Sequence, residues 1–221
     1  MKENGKTALI LGATGLTGGI LLRLLLENEA YDKVKLFSRT SIGFTHPKIE
    51  EHLIDLLHLN EYTSDFTADE VFCCIGTTKK KTPNNDTYRK IDYGIPLAAA
   101  KMAKCNEIKT YIVISALGAN AKSSMFYNKI KGEMEDAVLA QGIARTFILQ
   151  PALISGNREE KRAGEWLIKK IMKALDFLLI GSLRKYRVIA PTTIASAMIW
   201  LANNSYKEAR IASDEIKKLA H

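Results

Sequence analysis

The sequence predicts an α/β fold in which a doubly wound parallel sheet of about seven strands carries helices on both faces. The first observation is a glycine-rich turn at residues 12–18, between an apolar strand pattern and an apolar helical pattern. The second is that strand and helix patterns keep alternating along the chain. The third is that residues 71–75 and 111–114 are continuous apolar runs, which is typical of parallel strands buried on both faces.

The apolar periodicity predicts where each element lies. Strands are expected at residues 7–11, 33–38, 49–53, 70–75, 109–115, 145–149 and 187–189. Helices are expected at residues 16–27, 96–105, 126–140, 160–177 and 193–203. We expect residues 1–221 to form one domain. In it, residues 155–186 make a small C-terminal excursion over the carboxyl edge of the sheet, where a substrate would bind.

Composition narrows the class of protein. The chain has 221 residues, 47% of them hydrophobic, and a formal net charge of +8. No apolar run approaches the roughly 20 residues that cross a bilayer, so we predict no membrane span. The first residues lack the pattern of a secretory signal peptide, and we predict a cytoplasmic location. The basic charge suggests nucleic-acid binding, but no aromatic residues alternate with the basic ones, and we do not predict it.

The three cysteines, Cys73, Cys74 and Cys105, have no metal-ligand spacing. We interpret them as small core residues and predict no metal site.

The turn Gly12-x-x-Gly15-x-x-Gly18 predicts a dinucleotide site. In this interpretation Gly12 makes the turn, Gly15 lets the backbone approach the phosphates, and Gly18 lets the helix pack on the sheet. The free amides at the helix start would then bind a pyrophosphate. A plain glycine turn between a buried strand and a helix is the alternative.

The end of the second strand indicates which dinucleotide binds. NAD sites usually carry an acid there, whereas this chain has Arg39. With a guanidinium and no carboxylate to repel a 2′-phosphate, we predict NADP(H) in preference to NAD(H). A surface arginine on a turn is the alternative. After the third strand, Asp55 would accept a hydrogen bond from the adenine amino group while Leu56 packs on the ring. A helix N-cap is an equal alternative for Asp55.

Ser115, Tyr127 and Lys131 form the predicted catalytic group. Tyr127 and Lys131 are four residues apart and share one face of a predicted helix. Tyr127 would give its proton to a carbonyl oxygen, and the ammonium of Lys131 would lower the tyrosine pKa from about 10. Ser115 would hold the substrate oxygen. A pair of surface side chains on the helix is the alternative.

These residues resemble the atypical, extended-type short-chain dehydrogenase/reductases, and most closely their Tat-interacting-protein-like, or NmrA-like, branch. The matching segments are residues 12–18 (GATGLTG), 71–78 (VFCCIGTT), 115–119 (SALGA), 127–132 (YNKIKG) and 162–167 (RAGEWL). The resemblance implies a Rossmann domain that binds NADP(H) beside a Ser-Tyr-Lys site. One departure is that Ile75–Thr78 replaces the Asn-Ala-Gly turn that many members carry after strand four.

The resemblance also implies a role for each cofactor residue. The residues implied to touch the phosphates are Gly12, Thr14, Gly15, Leu16 and Thr17. Arg39 would hold the 2′-phosphate, Gly76 and Thr77 would line the ribose, and Lys131 would reach the nicotinamide ribose. The residues implied to flank the nicotinamide are Ala152, Leu153 and Ile154.

We therefore predict an NADP(H)-dependent oxidoreductase that reduces a carbonyl or an activated double bond of a small molecule, whose identity the sequence does not specify. The alternative is a non-catalytic NADP(H)-binding regulator or assembly factor that acts through protein partners. The apolar stretch at residues 175–180 favours that alternative. A homodimer through the helix at residues 126–140 is compatible with either function.

Overall fold

Seven parallel strands form one sheet in the computed structural model, which describes residues 5–155 and 181–220. The strands are β1 (Lys6–Leu11), β2 (Tyr31–Ser38), β3 (Ile49–Leu53), β4 (Glu70–Cys73), β5 (Thr110–Ile114), β6 (Arg145–Gln150) and β7 (Arg210–Ala212). Their order is β3-β2-β1-β4-β5-β6-β7. The chain winds outward from β1 in one direction and then continues from β4 in the other. A crevice therefore opens between the carboxyl ends of β1 and β4.

Helices cover both faces of this sheet. They are α1 (Leu16–Glu27), α2 (Asn85–Arg89), α3 (Ile95–Cys105), α4 (Phe126–Leu139), α5 (Pro191–Asn203) and α6 (Ser213–Leu219). Helices α1, α5 and α6 share one hydrophobic core with the sheet, and α3 and α4 share a second. A π-helical turn, Lys90–Gly94, joins α2 to α3, and 3₁₀ helices lie at Leu56–Tyr62 and Gly181–Tyr186. The predicted doubly wound fold is confirmed.

The last strand was placed wrongly. Residues 187–189 were expected to form it, but there Ile189 makes only an isolated parallel bridge to Ile154. The seventh strand is β7, which pairs with β6. Three residues are too few to produce a periodic pattern, and the pairing with β6 depends on the tertiary fold. The predicted helix at 160–177 lies outside the described residues.

Two of the three cysteines lie in the interior, as expected. Cys73 is buried and Cys74 half-buried, and burial raises the pKa of both thiols, so they stay protonated. Cys105, at the end of α3, is exposed, which corrects its interpretation as a core residue.

Within residues 5–155 and 181–220, no helix has the length and apolar character to span a bilayer.

The start of α4 is held by the loop that follows β5. The loop amide of Asn120 donates to the carbonyl of Asn128, at 2.9 Å. At Gly132 the loop backbone lies directly on the helix, because a Cβ there would stand 2.1 Å from the amide nitrogen of Ala121. Only a glycine permits this approach, which places the first turns of α4 at the carboxyl edge of the sheet.

We expect Gly132→Ala to destabilise the fold by about 1–3 kcal/mol, because the new methyl group overpacks against backbone. That is opposite in sign to the usual gain of about 1 kcal/mol for Gly→Ala within a helix. The matched control is Gly94→Ala, whose Cβ would lie 3.9 Å from its nearest neighbour. Urea unfolding followed by circular dichroism measures both variants. Equal stability of the two would contradict the packing argument.

Candidate active site

The glycine turn after β1 has the geometry that a dinucleotide requires. Gly12 has a φ of +89°, in the left-handed region, and the amide of Gly15 donates to the Gly12 carbonyl at 3.0 Å. A Cβ at Gly18 would lie 2.1 Å from the same carbonyl oxygen, so α1 begins directly against the turn. No side chain caps α1, and its first turn holds no acid. Its first amides therefore lack helical partners and favour an anion.

The other residues predicted to touch the phosphates differ in exposure. Thr14 and Leu16 are exposed, and Thr17 is buried. Residues 14–16 are thus the exposed part of the glycine turn.

Arg39 is exposed directly after β2, where a 2′-phosphate site was predicted. The structure also places a carboxylate near this loop, which the sequence analysis missed. Glu51 lies on β3, paired with β2, and accepts hydrogen bonds at 2.8 Å from the Ser41 hydroxyl and the Ile42 amide. The loop after β2 is therefore held by an acid. The expectation that no carboxylate lies here needs this correction, because parallel pairing brings β3 beside the loop.

Asp55 caps the 3₁₀ helix that follows β3. Its carboxylate accepts a hydrogen bond from the amide of Leu57, at 3.0 Å, which is the N-cap alternative. Leu56 is buried in the second core, whereas Leu57 is exposed. The contacts of Asp55 and Leu56 with adenine stay predictions.

Asp92 organises the turn after β4. It lies in the π-helical turn and is 1% exposed. One carboxylate oxygen, Oδ2, accepts a hydrogen bond from the amide of Thr77, at 2.8 Å. The other, Oδ1, would be 3.6 Å from a Cβ on Gly76. Asp92 therefore holds the Gly76-Thr77 backbone, in the turn where the sequence departs from the expected Asn-Ala-Gly pattern.

Lys131 is buried on α4 and forms an ion pair with Asp92. Its Nζ lies 3.2 Å from Asp92 Oδ1, and both side chains are almost fully buried. The angles at Oδ1 do not make this contact a hydrogen bond. Lys131 Nζ also lies 3.4 Å from the Ile114 carbonyl oxygen. A buried ammonium is costly without a counter-charge, and the Asp92 carboxylate supplies one.

Tyr127 lies one turn before Lys131 and is 41% exposed. The adjacent Phe126 ring packs edge-on against Tyr88, with ring centroids 5.5 Å apart. Tyr88 is buried and donates a hydrogen bond to the Thr77 carbonyl, at 3.3 Å. Burial and nearby negative charge raise the Tyr88 pKa, so it stays a protonated donor. Tyr127 is therefore more accessible than Tyr88 at this edge.

Ser115 directly follows β5 and is buried, and its hydroxyl donates to Glu135 Oε1 at 2.5 Å. Glu135 lies on α4 and is 1% exposed. It also accepts hydrogen bonds from Gln150 Nε2 and from Arg210 Nε. Ser115 is thus held against α4, the helix that carries Lys131, and each of the two side chains contacts a buried carboxylate.

Residues 152–154, which were predicted to flank the nicotinamide, follow β6. Leu153 is 60% exposed, while Ala152 and Ile154 are half-buried. Ile154 bridges to Ile189, which extends the sheet edge. Of the excursion predicted at 155–186, residues 156–180 lie outside the described residues, as does the apolar stretch 175–180.

Sequence reasoning missed four residues that hold this site: Glu51, Asp92, Glu135 and Arg210. Only Glu135 had a usable signal, because it continues the spacing Tyr127, Lys131, Glu135 along one helix face. Asp92 lies between Ile91 and Tyr93 in the π-helical turn, and Arg210 is the first residue of a strand too short to predict. Their partners are far away in the chain, so no local pattern indicates the contacts.

Curated relatives match most of the chain. Protein HTATIP2 of Rattus norvegicus is 33% identical over 178 residues, covering 79% of this chain and 73% of the relative. Protein FMP52-1, mitochondrial, of Scheffersomyces stipitis is 36% identical over 163 residues, covering 71% and 70%. The fmp52 protein of Aspergillus clavatus is 34% identical over 171 residues, covering 73% and 72%.

Solved structures share the fold at low sequence identity. The ADP-L-glycero-D-manno-heptose-6-epimerase of Helicobacter pylori has a TM-score of 0.69 at 16% identity, covering 100% of this chain and 83% of its own. A UDP-glucose 4-epimerase of Thermotoga maritima has a TM-score of 0.68 at 15% identity, covering 97% and 81%. A short-chain dehydrogenase family protein of Francisella tularensis has a TM-score of 0.64 at 15% identity, covering 90% and 91%.

These comparisons correct one prediction and confirm another. The cytoplasmic location is contradicted, because the fungal relatives are named mitochondrial proteins. The absence of a secretory pattern in the first residues did not distinguish the cytoplasm from an organelle. No family model matches the chain. The predicted family is confirmed by the relatives: the chain belongs to the HTATIP2/FMP52 family of NmrA-like, short-chain dehydrogenase/reductase-type NAD(P)-binding proteins.

Proposed function

We propose that the chain is an NADP(H)-dependent oxidoreductase that reduces a carbonyl or an activated double bond of a small molecule. Ser115, Tyr127 and Lys131 form its catalytic group. The observation that carries the proposal is the position of Lys131. Its ammonium is buried at the carboxyl edge, 4.0 Å from where a Gly76 Cβ would stand, and Tyr127 precedes it by one turn. The position of this buried cation beside the Gly76 turn supports a catalytic role for Lys131.

The crevice between β1 and β4 suits the cofactor. The turn at Gly12 leaves no room for side chains, and the α1 amides favour a pyrophosphate. Gly76 is exposed at the end of β4 beside the Asp92–Lys131 pair. Arg39 would bind the 2′-phosphate, and residues 152–154 would flank the nicotinamide. When bound, the reduced cofactor supplies the hydride.

In this reaction the protein itself supplies the proton that the substrate takes up. As the carbonyl carbon receives the hydride, its oxygen takes the phenolic proton of Tyr127 and becomes a hydroxyl. The resulting phenolate is stabilised by the Lys131 ammonium, and solvent restores its proton because Tyr127 is exposed. For an activated double bond the proton goes instead to the carbon or oxygen that bears the developing charge.

A non-catalytic NADP(H)-binding regulator is the second candidate function. It is favoured because two of the proposed catalytic side chains already have partners within the protein. Asp92 forms an ion pair with Lys131, and Glu135 accepts the hydrogen bond of Ser115. Turnover of a carbonyl panel decides between the two functions. The panel contains 4-nitrobenzaldehyde, phenanthrenequinone and an α,β-unsaturated aldehyde, with NADPH oxidation followed at 340 nm. No turnover of any member, with NADPH bound, favours the regulator.

We expect Tyr127→Phe to lower kcat by about 10²–10⁴-fold, because it removes the proton donor. The dissociation constant of NADPH should change little. The matched control is Tyr62→Phe, on the 3₁₀ helix after β3, which should keep full activity. A continuous assay of NADPH oxidation at 340 nm measures kcat, and calorimetric titration measures the dissociation constant of NADPH. Undiminished turnover in Tyr127→Phe would remove Tyr127 as the acid.

We expect Arg39→Ala to raise the dissociation constant of NADPH by about 10–100-fold, the value of charge-assisted hydrogen bonds to a phosphate. NADH binding should change less than twofold, since NADH lacks the 2′-phosphate. Arg23→Ala removes an exposed arginine on α1 and serves as the control. A preference for NADH in the unmodified protein would contradict the cofactor assignment.

We expect Asp92→Asn to lower the free energy of unfolding by about 3 kcal/mol, because it leaves Lys131 buried without a counter-charge. The double variant Asp92→Asn/Lys131→Met should recover much of that loss, since both charges are removed. Denaturant unfolding of the single and double variants tests this. If Asp92→Asn is as stable as the unmodified protein, the ion pair does not hold the site together.

A further inference from the structure

Helix α4 presents a third polar side chain to the site, besides Tyr127 and Lys131. Glu135 follows Lys131 by four residues and lies on the same face of the helix. Its side chain is 2% exposed. Ser115 Oγ donates to Glu135 Oε1 at 2.5 Å, a length typical of a hydroxyl bonded to a carboxylate. The pair joins the end of β5 to the middle of α4.

The other contacts of Glu135 fix its orientation. Gln150, at the end of β6, donates from Nε2 to both carboxylate oxygens, at 2.9 and 3.0 Å. Arg210, at the start of β7, donates from Nε to Oε2 at 2.8 Å. Each of these three partners donates a hydrogen bond to Glu135, and an ionised carboxylate can only accept hydrogen bonds. Glu135 is thus held as a fixed acceptor facing Ser115.

A serine hydroxyl has one proton and two lone pairs. Because the Ser115 hydroxyl donates its hydrogen bond to Glu135, only its lone pairs remain for a ligand. We propose that Glu135, oriented by Arg210 and Gln150, is a positioning residue that makes Ser115 a hydrogen-bond acceptor in the site. This inference rests on the proposed oxidoreductase function. It reverses the usual expectation that the serine donates to the substrate carbonyl.

The consequence is a difference between substrate and product. A carbonyl oxygen has no proton and gains no hydrogen bond from such a Ser115. The alcohol that forms from it carries a hydroxyl, which donates to Ser115 Oγ. Ser115 and Glu135 therefore favour alcohol binding, while the carbonyl is recognised by Tyr127 alone.

The test uses 4-nitrobenzaldehyde with NADPH, and 4-nitrobenzyl alcohol as the product inhibitor. We expect Glu135→Gln to raise the inhibition constant of the alcohol by about tenfold, the value of one lost hydrogen bond. The KM of the aldehyde should change less than twofold. Ser115→Ala should raise the alcohol constant similarly, and adding Glu135→Gln to it should have no further effect, because Glu135 acts through Ser115.

Asp136→Asn is the matched control. Asp136 also pairs with Arg210, at 2.6 Å, but it is exposed and is not the carboxylate that Ser115 bonds. Both constants should stay unchanged in this variant. If Glu135→Gln fails to fold, Ser115→Ala alone still separates the roles. A weakened aldehyde with an unaffected alcohol would show that Ser115 is a donor.

Two further results overturn the inference without touching the proposed function. One is an equal loss of aldehyde and alcohol binding in both variants. The other is additive effects of Glu135→Gln and Ser115→Ala, which would make Glu135 a structural residue only. Absence of aldehyde reduction by the unmodified protein is a different outcome, since it refutes the oxidoreductase function on which the inference rests.

Discussion

Helix α4 is held at the carboxyl edge of the sheet by two ion pairs whose carboxylates are buried. Lys131 pairs with Asp92 from the π-helical turn, and Glu135 pairs with Arg210 from β7. Removing charges from water costs several kcal/mol for each ion, and only good pairing offsets that cost. The place of Tyr127 at the start of α4 therefore depends on contacts from both halves of the chain.

The order of the strands explains why these contacts meet. Winding in two directions from the centre places the end of β1 beside the end of β4, and a Cβ on Gly12 would stand 3.0 Å from the Cys74 carbonyl oxygen. The glycine turn and the Gly76-Thr77 turn are thus neighbours. Asp92 links the second turn to Lys131, so the crevice for a dinucleotide and the α4 side chains form one continuous edge.

The site was partly predictable from the sequence. The strand, turn and helix around Gly12 depend on local periodicity and on glycines that only a tight turn explains, and the structure has them where they were expected. The seventh strand was misplaced because β7 is short, and its pairing with β6 is a tertiary contact. Glu51 was overlooked for a similar reason, since β3 reaches the loop after β2 only through parallel pairing.

The sequence by itself determined the alternating elements, the glycine turn, and the spacing of Tyr127 and Lys131 on one helix face. Each of these follows from neighbouring residues, whose geometry is set by the backbone repeat. Only the tertiary structure decided which carboxylate faces which partner. Glu135 and Arg210 are 75 residues apart in the chain, yet their charged atoms lie within 2.8 Å. Buried charges interact through space, so these pairings depend on how the sheet is assembled and not on order in the chain.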